Sequence, residues 1–214
     1  MVLTLYGNSL STCAKRVGQV LLEKQVPFQV VEVDLSKREN RTLEYLSKQP
    51  FGQVPYLDDD GYIIYESRAI SRYIAEKYAD QGTPLIPTEL KAKGLFEQAA
   101  SIEQSNFDAY ANPAVYEMII KGYLGLPRDK GYFDKLIAQL EPRLDVYDEI
   151  LSRQRYLAGD ELTLADLFHL PYGVLLVEAG SNAMEVRPNV ARWFRELVER
   201  PSWQAVKDGV KSTA

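Results

Sequence analysis

Short apolar runs alternate with amphipathic segments in the first part of the chain. Val2–Tyr6 is rich in β-forming residues, and the segment after it shows the periodicity of a helix that extends to about Lys24. Phe28–Val33 is apolar enough to be a strand of a buried parallel sheet. A short helix is predicted around Leu43–Ser47, ahead of Pro50. The pattern therefore begins as strand, helix, strand, helix.

A β-hairpin is predicted next along the chain. Its strands are Val54–Leu57 and Tyr62–Tyr65, and the Asp60-Gly61 pair between them favours the positive φ angles of a tight turn. A helix is predicted from Ser67 to about Tyr78, with Ser67 as its N-cap. The order is therefore βαβαββα, in which a βαβ unit supplies parallel strands and the hairpin adds an antiparallel pair.

Helical patterns replace strand patterns beyond a linker that is rich in Gly and Pro. We place a first α/β domain at residues 1–80, the linker at 81–89 and an all-α helical domain at 90–214. Pro142, deep inside one of the predicted helices, predicts a kink or a break there. The helical domain is predicted to contain five helices: Leu90–Tyr110, Asn112–Tyr123, Tyr132–Arg153, Leu164–Ala179 and Val190–Val198.

A capping box begins the fourth of these helices. Thr163 and Asp166 have the spacing at which a hydroxyl caps the helix and a carboxylate bonds back to the backbone. His169 follows on the same helix, just before Pro171. A lone histidine in this position is more often a packed, hydrogen-bonded core residue than a catalytic base, so both features predict structure rather than chemistry.

Composition and charge narrow the classes of function. The 214 residues include 25 basic and 30 acidic side chains, with no basic block, which argues against nucleic acid or an anionic membrane as a partner. The single cysteine, Cys13, excludes an intramolecular disulfide, and the single histidine argues against a His-rich zinc site, so no metal is expected. Because the start of the chain has no signal-peptide pattern and no apolar run is long enough to span a membrane, we expect a cytoplasmic protein.

Hydroxyl groups at two predicted helix starts are candidates for chemistry. Ser11 either caps the first helix or donates a hydrogen bond to a developing anion. Glu66-Ser67 is either a capped helix start or an anion site formed by free amides and the Ser67 hydroxyl. Pro55 lacks the N–H that a strand needs for its hydrogen-bond ladder. Either Pro55 lies in an edge strand, or the Val54-Pro55 bond is cis and turns the Val54 backbone toward an extended ligand.

Four segments, spread from one end of the chain nearly to the other, carry a resemblance to a known family. They are Leu10–Thr12, Gln49–Pro55, Glu66–Ile70 and Leu157–Asp166. Together they make the chain resemble the glutathione transferases, most closely the phi class. The resemblance implies a thioredoxin-like N-terminal domain that binds glutathione, a helical domain that supplies the second-substrate pocket, and a homodimer.

The resemblance also assigns roles to residues of the first domain. Ser11 matches the serine that stabilises the glutathione thiolate. Val54 and a cis Pro55 match the residues that contact the cysteinyl part of glutathione. Gln53, Glu66 and Ser67 match residues that hold its γ-glutamyl end. Asn40 and Arg41 lie near its glycine carboxylate, where many plant phi enzymes carry His-Lys.

The second-substrate pocket is assigned from position alone. Its residues are either pocket lining or helical-domain core, and they are Leu10, Phe107, Tyr110, Met118 and Ile119. The chemistry that the resemblance implies is attack by the glutathione thiolate on an electrophilic carbon held in an apolar pocket, or on a peroxide oxygen.

Two other functions compete with glutathione conjugation. One is a thioltransferase that forms a mixed disulfide between Cys13 and glutathione, against which Ser11 occupies the activating position and no resolving cysteine is present. The other is a non-catalytic, ligandin-type carrier on the same fold. Binding to glutathione without turnover would favour the carrier.

Overall fold

The computed structural model, which describes residues 2–214, divides into two compact units. The first contains the residues up to Leu85 together with Arg200–Ala214, and the second is Ile86–Glu199. The sequence pattern assigns everything after residue 90 to the helical domain, whereas the structure packs the last fifteen residues of the chain with the α/β unit. The side chain of Val210 lies so close to Gly18 that a Cβ there would be 2.7 Å from it.

A four-stranded mixed sheet forms the centre of the first unit. The strand order is β2-β1-β3-β4, with β1 parallel to β2 and the other pairs antiparallel. Asp60 and Gly61 adopt φ angles of 55° and 88°, which confirms the hairpin turn. The strands are β1 Leu3–Gly7, β2 Phe28–Glu32, β3 Tyr56–Asp59 and β4 Tyr62–Tyr65.

The β2 strand lies at an edge of the sheet, and only Phe28 in it is fully buried. The prediction of a buried strand is therefore wrong for most of its residues. The end of the chain pairs with the outer edge of β2, since the Thr213 amide donates to the Phe28 carbonyl and the Ser212 hydroxyl accepts from the Val30 amide. This pairing satisfies backbone groups that an open edge strand would expose.

The helices of the first unit pack around the sheet. They are α1 Thr12–Glu23, α2 Leu43–Leu46, α3 Ser67–Lys77 and α11 Pro201–Val206, with a 3₁₀ turn at Glu39–Arg41. Ala14, Val17, Val20 and Leu21 of α1 are all buried, so the predicted apolar face of this helix is confirmed.

A buried carboxylate joins α1 to the segment that precedes α11. Glu23 Oε1 and Oε2 accept from Arg200 Nε at 2.6 Å and Nη2 at 2.7 Å, and Ser202 and Thr83 donate to the same carboxylate. Burial opposes ionisation of Glu23, but these donors outweigh it and lower its pKa from the ordinary value of 4.5.

We expect Glu23→Gln to lower the free energy of unfolding by about 1–3 kcal/mol at neutral pH, because it leaves the Arg200 guanidinium without its counter-charge. The pKa of Glu23 is lower in the folded protein than in the unfolded chain. The stabilisation that ionised Glu23 contributes is therefore fully present above the unfolded pKa near 4.5, and it is lost as pH falls through the folded pKa. Denaturant unfolding across the acid range measures it, with Glu161→Gln as an exposed control. An equal loss of unfolding free energy at neutral and at acid pH would contradict this pH dependence.

Helices make up the second unit. One helical stretch runs without interruption from Leu90 to Tyr123, so the predicted break near Ala111 is absent. This stretch contains two π-helical segments, Glu103–Asp108 and Tyr116–Ile120, and its α-helical parts are α4 Leu90–Ile102, α5 Ala109–Val115 and α6 Lys121–Tyr123. None of the helices between residues 2 and 214 is long and apolar enough to cross a membrane.

Prolines act differently in the remaining helices. α7, Lys130–Leu151, continues through Pro142, so of the predicted kink or break the break is absent. Leu140 and Leu144 on either side are fully buried, and this packing overrides the local preference. The helix predicted over 164–179 is instead divided, because a new helix begins at Leu170 with Pro171 in its first turn. The later helices are α8 Leu164–Leu167, α9 Leu170–Glu178 and α10 Pro188–Val198.

The capping box at α8 is present, and its carboxylate reaches further than the sequence indicates. Asp166 accepts from the Thr163 amide at 3.0 Å, the Leu157 amide at 2.9 Å and Trp193 Nε1 at 3.0 Å, and its side chain is wholly buried. His169 is also buried, with Nε2 3.1 Å from the Tyr147 hydroxyl, which confirms it as a core residue.

Candidate functional site

Ser11 lies in the loop that connects β1 to α1. It is the N-cap of α1, and its hydroxyl oxygen accepts from the Ala14 amide at 3.1 Å, so the capping interpretation is confirmed. A serine hydroxyl has one donor hydrogen and two acceptor lone pairs. Because the cap uses an acceptor position, the O–H of Ser11 remains able to donate beside the positive end of the helix.

Asn40 and Arg41 hold the loop that precedes β3. Asn40 Nδ2 donates to the Gly52 carbonyl at 2.7 Å, and Arg41 Nη1 donates to the Phe51 carbonyl at 3.1 Å. Gly52 has a φ of 62°, and a Cβ there would be 2.7 Å from Arg41 Nη1. Both predicted glutathione contacts thus fix the backbone immediately before Gln53.

A tyrosine supports the same loop from inside the unit. The Tyr45 hydroxyl donates to the Gln53 carbonyl at 2.7 Å, and the Gln53 side chain itself is exposed. Burial raises the pKa of Tyr45 above its ordinary value and raises the pKa of Tyr56 to about 12. Tyr45 therefore stays protonated and keeps donating at neutral pH.

The Val54-Pro55 bond is cis, as predicted. Pro55 is buried against the end of β1, where a Cβ on Gly7 would be 2.9 Å from the Pro55 Cβ. The Val54 amide and carbonyl make no hydrogen bond to another residue within the described part of the chain. These two backbone groups are therefore available to an extended ligand.

Glu66, rather than Ser67, is the N-cap of α3, so the prediction that Ser67 caps this helix is wrong. The physical reason is that β4 ends at Tyr65 and the chain turns into the helix within one residue. Glu66 makes this turn with φ 70° and ψ 109°, a conformation that is costly for a residue with a side chain and is concentrated at functional sites. Ser67 is then the first helical residue and is buried.

A buried arginine, which the sequence analysis missed, lies beneath Ser67. Arg16 Nη1 donates to the Ser67 hydroxyl at 2.9 Å and lies 3.8 Å from the sulfur of Cys13. Arg16 is 1% exposed, although it belongs to α1, whose buried face is otherwise mostly apolar. A charged residue on the apolar face of a predicted helix was the feature of the sequence that could have revealed it. It adds a positive charge where the α3 N-terminus already favours an anion.

The residues predicted for the second-substrate pocket differ in exposure. Leu10 is 63% exposed, while Met118 and Ile119 are partly buried and belong to the second π-helical segment. Phe107 is fully buried and packs against His169, with ring centroids 4.7 Å apart, so its placement in the pocket is corrected to the core.

Tyr110 is partly buried and contacts Arg143. Its hydroxyl accepts from Arg143 Nη2 at 2.5 Å, and the Arg143 guanidinium lies 4.1 Å from the centre of the tyrosine ring. Because the hydroxyl is an acceptor in this pair, its own hydrogen is free to donate. Across residues 2–214, no group of three or more His, Cys, Asp or Glu side chains is arranged to hold a metal ion.

Comparisons with known proteins match both parts of the chain. The model of the glutathione S-transferase N-terminal domain matches residues 1–76, and that of the C-terminal domain matches residues 100–201. Glutathione S-transferase hmp2 from Hypomyces subiculosus is 47% identical over 222 aligned residues, covering 100% of this chain and 99% of the relative.

Solved structures agree with these matches over nearly the whole chain. Glutathione transferase F7 from Populus trichocarpa superposes with a TM-score of 0.94 at 37% identity, covering 98% of this chain and 100% of that one. The maize glutathione S-transferase I, solved with an atrazine glutathione conjugate, has a TM-score of 0.89 at 31% identity, and 97% of each chain is covered.

Proposed function

Because the chain belongs to the glutathione S-transferase family, and its relatives are of the phi class, we propose that Ser11 is the hydroxyl donor that activates glutathione. The chain is an enzyme that uses glutathione as its cosubstrate. The observation that carries the proposal for Ser11 is its geometry: the hydroxyl oxygen accepts from Ala14, which fixes the side chain and leaves its hydrogen to donate.

The proposed chemistry begins with the thiol of glutathione. A free thiol has a pKa of about 8.5, so little of it is thiolate at neutral pH. A hydrogen bond from Ser11 and the positive end of α1 both favour the charged form. The thiolate sulfur then bonds to an electrophilic carbon, and the leaving group departs with its electron pair. Catalysis therefore rests on positioning and electrostatics, while glutathione supplies the nucleophile.

Glutathione is proposed to bind along the edge formed by the loop before β3 and the start of α3. The Val54 amide and carbonyl pair with its cysteinyl part, and Gln53, Glu66 and Ser67 hold its γ-glutamyl end. The Arg16 charge beneath Ser67 supports an anionic group there. Asn40 and Arg41 face the glycine carboxylate in this proposal, in addition to their contacts with the loop.

Hydrophobic electrophiles are the proposed second substrates. Met118 and Ile119 lie in a π-helical segment and Tyr110 lies between the two such segments, and π-helical turns are frequent at functional sites. These three residues form the proposed lining within the second unit. Reduction of organic peroxides is a second proposed activity. The thiolate sulfur attacks a peroxide oxygen, the O–O bond breaks and the alcohol leaves after it takes up a proton, so that glutathione becomes a sulfenic acid. The thiol of a second glutathione then displaces the sulfenic hydroxyl as water and forms the disulfide. A homodimer and a cytoplasmic location stay predictions.

Binding and turnover measured on one preparation test the proposal. Retention on immobilised glutathione, followed by conjugation of chlorodinitrobenzene, should be positive in both steps. Retention without conjugation would contradict the enzymatic proposal and favour the carrier. Conjugation that fails with this electrophile but proceeds with an organic hydroperoxide would identify the peroxidase reaction instead.

We expect Cys13→Ser to leave conjugation nearly intact, because the thiol is partly buried and has no resolving cysteine. Initial rates with chlorodinitrobenzene measure the effect, and mass spectrometry during turnover checks the wild type for a glutathione adduct on Cys13. Loss of most activity, or such an adduct at a rate that matches turnover, would favour the thioltransferase.

A further inference from the structure

The helices α9 and α10 enclose a cleft of about 440 Å³ in the second unit, which we call the α9–α10 cleft. This volume is within the range of sites that bind drug-sized molecules. The apolar part of its lining comes from both helices and from the loop between them: Val174, Val177, Met184, Ala191, Phe194 and Val198.

The floor of the α9–α10 cleft is a fixed part of the core. Met184 is 0% exposed and Phe194 is 7% exposed. Gly173 permits the close approach of the two helices, because a Cβ there would be 2.6 Å from the Phe194 ring. The cleft is therefore a preformed apolar surface and does not depend on a mobile side chain to open it.

Charged side chains complete the lining of this cleft, and they are unbalanced. Three are carboxylates, Glu178, Glu185 and Glu199, and one is the guanidinium of Arg195. None of the four side chains forms an ion pair or a hydrogen bond with another residue in the part of the chain that the structure describes. An apolar body inside the cleft would thus meet an excess of negative charge, because three carboxylates face a single guanidinium in the lining.

We propose that the α9–α10 cleft binds an amphipathic organic cation, meaning an aromatic or aliphatic body that carries an ammonium or amidinium group. The body would displace water from the apolar lining, and the cationic group would pair with the carboxylates. Every residue of the cleft lies in the second unit, and none is among the residues proposed to bind glutathione. The cleft is therefore a binding site in addition to the glutathione site, and its ligand is held without being conjugated.

A pair of probes of equal size tests the charge preference. We expect 2-naphthylmethylammonium to bind one-to-one in titration calorimetry, and 2-naphthylacetate to bind at least about 10-fold more weakly. The triple substitution Glu178→Gln, Glu185→Gln and Glu199→Gln should weaken cation binding by about 10-fold, since an exposed charge pair contributes a factor of a few. Raising the salt concentration should weaken it as well. Equal binding of the two probes, or no effect of the triple substitution, would overturn the proposal.

The methionines locate the site independently of affinity. The chain contains three, and Met184 lines the cleft whereas Met118 does not. With methyl-labelled methionine, the Met184 signal, assigned through Met184→Leu, should shift on addition of the cation while the Met118 signal stays fixed. A shift of Met118 alone would place the ligand elsewhere and overturn the proposal.

Two further variants separate occupancy of the cleft from effects on folding. Ala191→Phe fills the cleft and should abolish cation binding, whereas Glu161→Gln, which removes an exposed carboxylate outside the cleft, should leave it unchanged. Both should keep the wild-type rate of glutathione conjugation, which shows that each variant is folded. Cation binding that survives in Ala191→Phe, or that is lost in Glu161→Gln, would contradict the proposed site.

Discussion

Ser11→Ala should lower turnover by about 100-fold or more while glutathione affinity changes much less, because the lost O–H stabilises the thiolate rather than the neutral thiol. The acidic limb of the rate profile should move to higher pH, since the bound thiol loses its donor and its pKa rises toward that of free glutathione. Turnover against pH and direct titration with glutathione measure the two effects separately.

The cap at Ser11 requires its own control. The hydroxyl also accepts from Ala14, so the substitution should cost about 1 kcal/mol of stability. Thr42→Ala removes a comparable cap from α2, where the Thr42 hydroxyl accepts from the Tyr45 amide at 3.3 Å, and should keep most of the turnover. Ser11→Thr should retain part of the activity. If Ser11→Ala and Thr42→Ala lose activity equally, then Ser11 acts only as a cap.

Asp166→Ala should lower the free energy of unfolding by about 3–5 kcal/mol, because it leaves four buried donors without their acceptor. These donors are the Leu157 and Thr163 amides and Trp193 Nε1, each within 3.0 Å of the carboxylate, and the Thr163 hydroxyl at 3.1 Å. Denaturant unfolding, monitored by far-ultraviolet circular dichroism, measures the loss. If the variant does not accumulate as folded protein, its soluble yield at low temperature should still be lower than that of the wild-type protein.

An acceptor outside the core provides the comparison for Asp166. Asp160 Oδ1 accepts from the Arg155 amide at 3.0 Å, and its side chain is exposed. Asp160→Ala should therefore cost less than about 1 kcal/mol, because water replaces the lost acceptor. Similar losses for the two variants would mean that the network around Asp166 adds nothing to a simple helix cap.

Interactions within a few residues were predictable because they depend only on spacing. The Asp60-Gly61 turn, the Ser11 cap and the Thr163–Asp166 box each require residue types at fixed short offsets, and each is present. The resemblance of the motifs went further and supplied the cis Val54-Pro55 bond, whose unconditional odds from sequence are only about one in twenty.

Long-range contacts were not predictable from the same patterns. Arg16 and Ser67 are 51 residues apart, and their hydrogen bond depends on how α1 and α3 pack on the sheet. Whether Ser67 or its neighbour caps α3 depends on how abruptly β4 ends. The continuation of α7 through Pro142 likewise reflects buried leucines on either side, which local propensity does not report.

The sequence by itself determined the βαβαββα order of the first domain, most of the local caps and turns, and the motifs that identify a glutathione transferase, because each is encoded in adjacent residues. The tertiary structure alone decided that residues 200–214 pack with the first unit, that Phe107 belongs to the core, and that a buried arginine lies beneath Ser67. Periodicity marks which face of an element is buried, but the partner of that face is chosen only when distant segments pack together.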